Sequence, residues 1–275
     1  MRVLVVGVNG FLGSEIANQC LKLNCEVWGA FNRNQNNIPS GCKKIQISKI
    51  DTLEDDFEIV FISTGNFTLS NEQLSDANII TTTRISKKFR SAKLVFISSI
   101  AVYGMHEGSI NERSSFNNPS AYGLSKVAGE NIVKKRTKYA IVRLTNLYGK
   151  GMITKSFIPV IIIDAVKKGL INLKNKVRKH DFLSVEDAAD LCIKAGQIKS
   201  NGIYIGATGK SVSNLEIAEI VQRITNCKLE FNESDQSPSF FLDPTQTMKA
   251  LNWKAKKSIK SDLNSLVKFY ESSNF

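Results

Sequence analysis

A chain of 275 residues with 42% hydrophobic and 23% charged residues is long enough for a buried core and excludes a peptide, a coiled coil, a collagenous chain or a disordered segment. The net charge of +12 divides as +7 over residues 1–150 and +5 over residues 151–275, so neither half is a basic arm. The densest clusters, Lys134-Lys135-Arg136 and Lys254/Lys256/Lys257, read as solvated faces, and no nucleic-acid partner is expected.

From the N-terminus, Met1-Arg2 leads into an apolar run that ends at Gly7, too short for the core of a secretion signal. Val3–Val6 predicts a buried strand, and Ile16, Cys20 and Leu23 recur at helical spacing after it. Further short apolar runs follow at Val27–Phe31, Ile59–Ile62, Leu94–Ile97 and Ala140–Leu144. Three of them, Val3–Val6, Ile59–Ile62 and Leu94–Ile97, lack the period-two alternation of a half-exposed strand and fit a parallel sheet covered on both faces. Later, Phe157–Val166 is broken by Pro159 and Asp164, so no membrane span is expected. Ser213-Asn-Leu-Glu216 is a capping box that predicts a helix to about Asn226, Asn232–Pro244 reads as loop, and Ile259, Leu263, Leu266 and Tyr270 form a last helical stripe. The fold class predicted is α/β, a doubly wound parallel sheet of Rossmann type with a smaller, mostly helical C-terminal substrate region. Residues 1–150 form the dinucleotide-binding domain, residues 151–275 mainly the substrate region, and the chain returns to the first domain around 180–206. Five cysteines without a CxxC pair suggest buried small hydrophobes in a reducing, cytoplasmic setting.

Between the first strand and its helix stands Gly7-Val-Asn-Gly10-Phe-Leu-Gly13. Spaced glycines there let the backbone approach a pyrophosphate at a helix N-terminus. This turn, from Gly7 through Asn9, Gly10, Phe11 and Leu12 to Gly13, is the predicted cofactor cradle, and Thr64 and Gly65 beyond the run Ile59–Ile62 are assigned to the same site. No acid ends the second strand, where one would bind the ribose of NAD. Asn32 and Arg33 stand there instead, and an arginine can pair with a 2′-phosphate, so NADP(H) is expected in preference to NAD(H).

Tyr122 and Lys126 are one helical turn apart, and a fixed cation beside a phenol favours the phenolate, which would equip Tyr122 for acid/base work. Ser98-Ser99 closes the run Leu94–Ile97 at the carboxyl end of a strand, where open α/β sheets bind ligands. His180 has only His106 as a companion histidine, and no metal site is expected.

With these residues on view the chain resembles the extended short-chain dehydrogenases/reductases, in particular the NAD(P)-dependent epimerase/dehydratase group acting on sugar nucleotides. The resemblance runs in order through Gly7/Gly10/Gly13, Leu94 to Gly104, Pro119 with Tyr122 and Lys126, Arg143 to Gly149, Asp181 to Asp187, Gly202 to Gly206, and Asp243 with Leu251-Asn-Trp253. It implies Tyr122 as proton carrier, Lys126 on the nicotinamide ribose, Ser99 on the reacting oxygen, Asn146 on the substrate, and pairing of subunits through two helices each. Dehydratases of the group resemble one another in an Asp-Glu pair after the hydroxyl, where this chain has Ile100 and Ala101, and the cysteine that related 3,5-epimerising reductases carry at Ala101 is missing as well. What remains is redox at one carbon of a nucleotide-linked sugar, a 4-keto reduction or a 4-epimerisation, with a non-catalytic dinucleotide sensor or scaffold as the alternative. The family's diphosphate-binding arginine is replaced by His180, which moves that task to Arg178 and Lys179, and Asn232-Glu233-Ser234 ahead of Asp235 supplies no second one.

Overall fold

Alternate residues of the apolar runs point to opposite faces, and both faces are buried. In the computed structural model, which describes residues 1–65, 67–152, 154–231 and 240–272, all five runs are strands. The first half supplies β1 (Arg2–Val6), α1 (Phe11–Lys22), β2 (Glu26–Phe31), β3 (Lys43–Gln46), β4 (Ile59–Ile62), α2 (Asn71–Ser75), α3 (Thr81–Lys88), β5 (Lys93–Ser99), β6 (Gly108–Ile110), α4 (Ala121–Val133), β7 (Tyr139–Leu144) and β8 (Asn146–Tyr148). There follow α5 (Phe157–Lys168), β9 (Leu170–Leu173), β10 (Lys179–Ser184), α6 (Val185–Gln197), β11 (Gly202–Gly206), β12 (Ser211–Ser213), α7 (Asn214–Thr225), β13 (Lys228–Phe231), β14 (Phe240–Leu242), α8 (Thr245–Leu251) and α9 (Ile259–Glu271).

Seven parallel strands form the main sheet in the order β11-β7-β5-β4-β1-β2-β3. Val3, Val5, Ile59, Phe61, Val95 and Val142 bury against α1 and α6, while Leu4, Val6, Val60, Ile62, Leu94 and Phe96 bury on the opposite face with Ile85 of α3 and Val133 of α4. A strand that is apolar on both sides is thereby accounted for. The strand order reverses direction between β1 and β4, and there the carboxyl ends diverge into a crevice.

A second core gathers α5, α7 and α9 around Ile162, Val221 and Leu263. Pro159 is harmless in the first turn of α5, where no intrahelical N–H bond is lost. The capping box at Ser213 is present, with α7 ending at Asn226 in the left-handed conformation, and the four stripe residues of α9 are buried. Three small sheets, β12-β10-β8, β13-β9 and β14-β6, are additions to the mostly helical expectation. Residues 240–242, expected as loop, are strand β14 on β6, and the remainder of that segment, residues 232–239 with Asn232, Glu233, Ser234 and Asp235, lies outside the described residues. Strands of three or four residues carry no readable period, which is why pairing alone reveals them. All five cysteines are buried and free. Among the described residues no helix is long and apolar enough to cross a membrane.

Candidate active site

Two adjoining cavities open at the carboxyl ends of the sheet, one of about 930 Å³ and one of about 570 Å³. The larger begins at the glycine turn, whose Gly7, Asn9, Gly10, Phe11 and Leu12 are in its wall. Gly7 has φ +84°, and a Cβ on Gly13 would stand 2.1 Å from the Gly7 carbonyl oxygen, so Gly13 lets α1 seat against the turn without itself reaching the cavity. The helix begins at Gly10 without a side-chain cap, and Gly10, Phe11 and Leu12 are in the cavity wall, so a helix N-terminus, the kind of element that can hold an anion, adjoins the cavity. Asn9 donates to the Asn34 carbonyl and side chain at 3.2 Å each, tying the turn to the loop after β2.

That loop departs in part from expectation. Asn32 is in the cavity wall, but the exposed Arg33 is not. The cation in the wall at this end is Arg84 of α3, which donates to the Ile47 and Ser48 carbonyls at 3.1 and 2.9 Å and pairs with Asp51. Sequence reading missed Arg84, and missed Asp76 and Ile80 beside it in the wall. They sit on one continuous helical stretch, α2, a π turn at Asp76–Ile80 and α3, whose start is announced by a capping box between Ser70 and Gln73. Thr64 and Gly65 also line the cavity.

At the other end of the larger cavity are Ser99, Tyr122, Lys126 and Asn146, and all of these except Lys126 also line the second cavity. The sheet places Ser99 at the end of β5 and Asn146 just past β7. Helix α4 starts from the Ser120 cap, which accepts from the Gly123 N–H at 3.3 Å. A Cβ at Gly123 would fall 2.3 Å from the Ala101 carbonyl, so the first turn of α4, with Tyr122, can lie close to the turn after Ser99 only because that residue has no side chain. The Ser99 hydroxyl accepts from the Ala101 N–H at 3.1 Å. Asn146 donates to the Asp181 carbonyl at 3.2 Å, which orients its amide.

The electrostatics correct one expectation. Burial pushes the Tyr122 phenol above its ordinary value, and the group that draws it down is the Ser99 hydroxyl rather than Lys126. Lys126 is itself buried, donating to the Thr64 and Ile97 carbonyls at 2.8 and 2.9 Å, and burial brings its pKa down to about 7 against the pull of Glu130. Its ammonium is 5.8 Å from the centroid of the Tyr122 ring. The lysine is thus an anchored donor one turn from the phenol, and it shares the cost of desolvation instead of relieving it.

Arg178 and Lys179 line the second cavity together with His180. The His180 ring lies 6.3 Å from Phe157 and 5.8 Å from Phe182, and burial, with Arg178 second, drives its pKa down to about 4. Neutral at pH 7, it does not add a third charge to the two cations. Between about 6.5, its ordinary value, and about 4 the unfolded chain binds a proton at His180 that the folded chain refuses, so stability falls as pH falls through that interval. His180→Asn is expected to flatten that part of the Tm–pH curve, which thermal melts at closely spaced pH values will show.

Residues 3–205 match the model of the NAD dependent epimerase/dehydratase family. A protein of Methanocaldococcus jannaschii named "Putative UDP-glucose 4-epimerase" is 28% identical, with 99% of each chain covered. The dTDP-6-deoxy-L-talose 4-dehydrogenase (NAD(P)(+)) of Kitasatospora kifunensis is 22% identical over 96% of this chain and 94% of its own. Among solved structures, the UDP-glucuronic acid 4-epimerase of Bacillus cereus, in complex with UDP-glucuronic acid and NAD, superposes with a TM-score of 0.87 at 19% identity, covering 98% of this chain and 99% of that one.

Proposed function

Since the chain belongs to the NAD dependent epimerase/dehydratase family, we propose that it transfers a hydride at C4 of a nucleotide-linked sugar, as a 4-epimerase, with Tyr122 as the proton carrier. The observation that carries this reading is the position of Ser99, Tyr122 and Asn146 in the wall shared by the two cavities. One cavity has the glycine turn for a dinucleotide, and the other has Arg178 and Lys179 for the anionic part of a substrate.

The residues fit such a cofactor: the turn from Gly7 to Leu12 lines the cavity at the uncapped start of α1, and Gly7 and Gly13, where a Cβ would strike the Ser63 and Gly7 carbonyls, let that turn close tightly. Asn9, Gly10, Phe11, Leu12, Asn32, Thr64 and Gly65 would hold the dinucleotide, with Lys126 on its ribose. When bound, the nicotinamide accepts the hydride and returns it. Tyr122 takes the proton of the sugar hydroxyl as it is oxidised and gives it back on reduction, while Ser99 holds the same oxygen and Asn146 fixes the ring. Positions 100 and 101, next along the chain from Ser99, carry an isoleucine and an alanine. Neither can move a proton, which supports redox at one carbon over elimination of water.

Epimerisation is placed ahead of 4-keto reduction because the case for a consumed NADPH stood on Arg33, whose side chain is outside the wall, and because the relative from Methanocaldococcus jannaschii, named for 4-epimerisation, aligns end to end. NAD(H) is accordingly the cofactor proposed. Arg33→Ala is expected to leave the NADPH/NADH affinity ratio within about twofold, as fits an exposed side chain without a bidentate partner; a tenfold fall in that ratio by titration calorimetry restores the 2′-phosphate reading. The function itself is tested by incubating the protein with UDP-glucose and catalytic NAD and following the sugar by NMR. Appearance of the 4-epimer without net nicotinamide reduction is the expected result. Stoichiometric oxidation of added NADPH by a 4-keto sugar nucleotide, without epimer formation, would assign the reductase reaction instead.

A further inference from the structure

Behind the proposed site lies a buried carboxylate for which the mechanism so far has no use. Glu130, fully buried on α4, accepts from Arg143 Nε at 2.9 Å and from Arg143 Nη2 at 2.7 Å, one bond to each oxygen, and from the Ser98 hydroxyl at 2.7 Å. Lys134 Nζ is 3.6 Å away. Arg143 also donates to the Tyr103 hydroxyl at 2.9 Å and to the Glu112 carbonyl at 3.2 Å. In the sheet Ser98 of β5 is the register partner of Arg143 of β7, and Ser99 that of Leu144.

We propose that Glu130 is a positioning residue for the site: by binding Ser98 and Arg143 together it pins α4 to the ends of β5 and β7, which sets Ser99 and Lys126 relative to each other. Lys126 is one turn earlier on the same helix, and Ser99 is the next residue after Ser98. Apolar packing is non-directional and would tolerate a slide of α4 along the sheet. A two-point ion pair with a third bond to a hydroxyl fixes both distance and orientation. A buried pair is poor evidence for stability, since apolar replacements often stabilise as well, and its retention here fits a demand for geometry.

The carboxylate also acts on Lys126 through its charge. The ionisable groups that face Lys126 or its partner Glu130 are Tyr122 on α4, Arg143 on β7, which also donates to Tyr103, and Lys134 just past α4, while Asp76 and Arg84 share the cavity wall with Lys126. Glu130 itself opposes the burial of the ammonium. Loss of its charge should lower the pH at which Lys126 gives up its proton.

This inference rests on the proposed use of Tyr122 and Lys126, and its test separates the two. In Glu130→Gln the shape is kept and the charge removed. The alkaline limb of kcat/KM is expected to move to lower pH by about half a unit or more, the direction set by loss of a nearby opposite charge, and kcat is expected to fall more than KM rises. Because Arg143 is then buried without its partner, Glu130→Gln/Arg143→Met serves as the second variant, with the same direction of shift. Ser98→Ala, which keeps the ion pair, should lower kcat several-fold at unchanged limb position. Folded variants that lose only thermal stability, with pH profiles superimposable on the wild type and kcat intact in Ser98→Ala, would overturn the proposal. Tyr122→Phe is run alongside: retained turnover there removes the underlying reading, whereas its loss beside unaffected Glu130 variants removes this inference alone.

Discussion

Tyr122→Phe is expected to reduce turnover by a factor of about 10² to 10⁴, the usual worth of a positioned proton carrier. NAD(H) affinity should stay within about twofold, since the lost atom acts on the proton in flight and not on ground-state binding. The ring is half-buried at the start of α4, and phenylalanine fills the same space. Ser99 keeps its bond from the Ala101 N–H, and Lys126 keeps its two carbonyl acceptors, so the cavity survives. Burial holds the phenol protonated well above neutrality, which makes Tyr122 an acid first. It can act as a base only while the carbon that bears the substrate hydroxyl is losing hydride, which makes that hydroxyl far more acidic. Steady-state rates and cofactor titrations on the same preparation check both halves of the expectation.

The second large effect belongs to Gly13→Ala. Its new methyl would meet the Gly7 carbonyl oxygen at 2.1 Å and the Val8 Cα at 3.2 Å, and backbone atoms have no rotamer through which to yield. Helix α1 must therefore lift away from the turn. Its N-terminal N–H groups move with it, and the alignment that makes the helix start an anion site is lost. Cofactor affinity is expected to fall by about a hundredfold or more, equivalent to about 3 kcal/mol. The melting temperature should drop by several degrees, because α1 packs Ile16, Ala17 and Cys20 into the core shared with α6. Calorimetric titration with NADH and a thermal melt suffice; near-native affinity would mean that the turn has slack that the structure does not show.

Much of the framework was readable from the chain because its signals are local. A short run that is apolar throughout, without period two, and alternates with helical patterns has few other solutions, and the strands at Val3–Val6 and Leu94–Ile97 rest on that ground. The capping box at Ser213 and the stripe of α9 likewise depend on neighbours within one or two turns. Elements that owe their state to distant partners were not legible. Phe240–Leu242 becomes a strand because β6 lies beside it, and Lys228–Phe231 because β9 does.

The same division runs through the site. Tyr122, Lys126 and Ser99 could be nominated from spacing and strand end. Arg84 could not, for its place in the cavity depends on the π turn at Asp76–Ile80 and on the Ile47 and Ser48 carbonyls that receive it. Arg33 sits two residues beyond β2, and nothing in the sequence says which way an exposed loop side chain turns. Lys126, expected to lower the phenol's pKa, is not among the groups that shift it, for a related reason. Residue spacing shows that two groups are close, but only the folded structure shows that both are desolvated, and burial is the largest cause of the shift in each.

The central claim, that Ser99, Tyr122 and Lys126 serve hydride transfer at a sugar carbon, is tested most directly by rapid mixing of the NAD-loaded protein with UDP-glucose while the absorbance of reduced nicotinamide is recorded. The account predicts a transient of reduced cofactor in the wild type that decays as epimer forms and is slowed at least a hundredfold in Tyr122→Phe. Transients of equal rate and amplitude in the two proteins would contradict it.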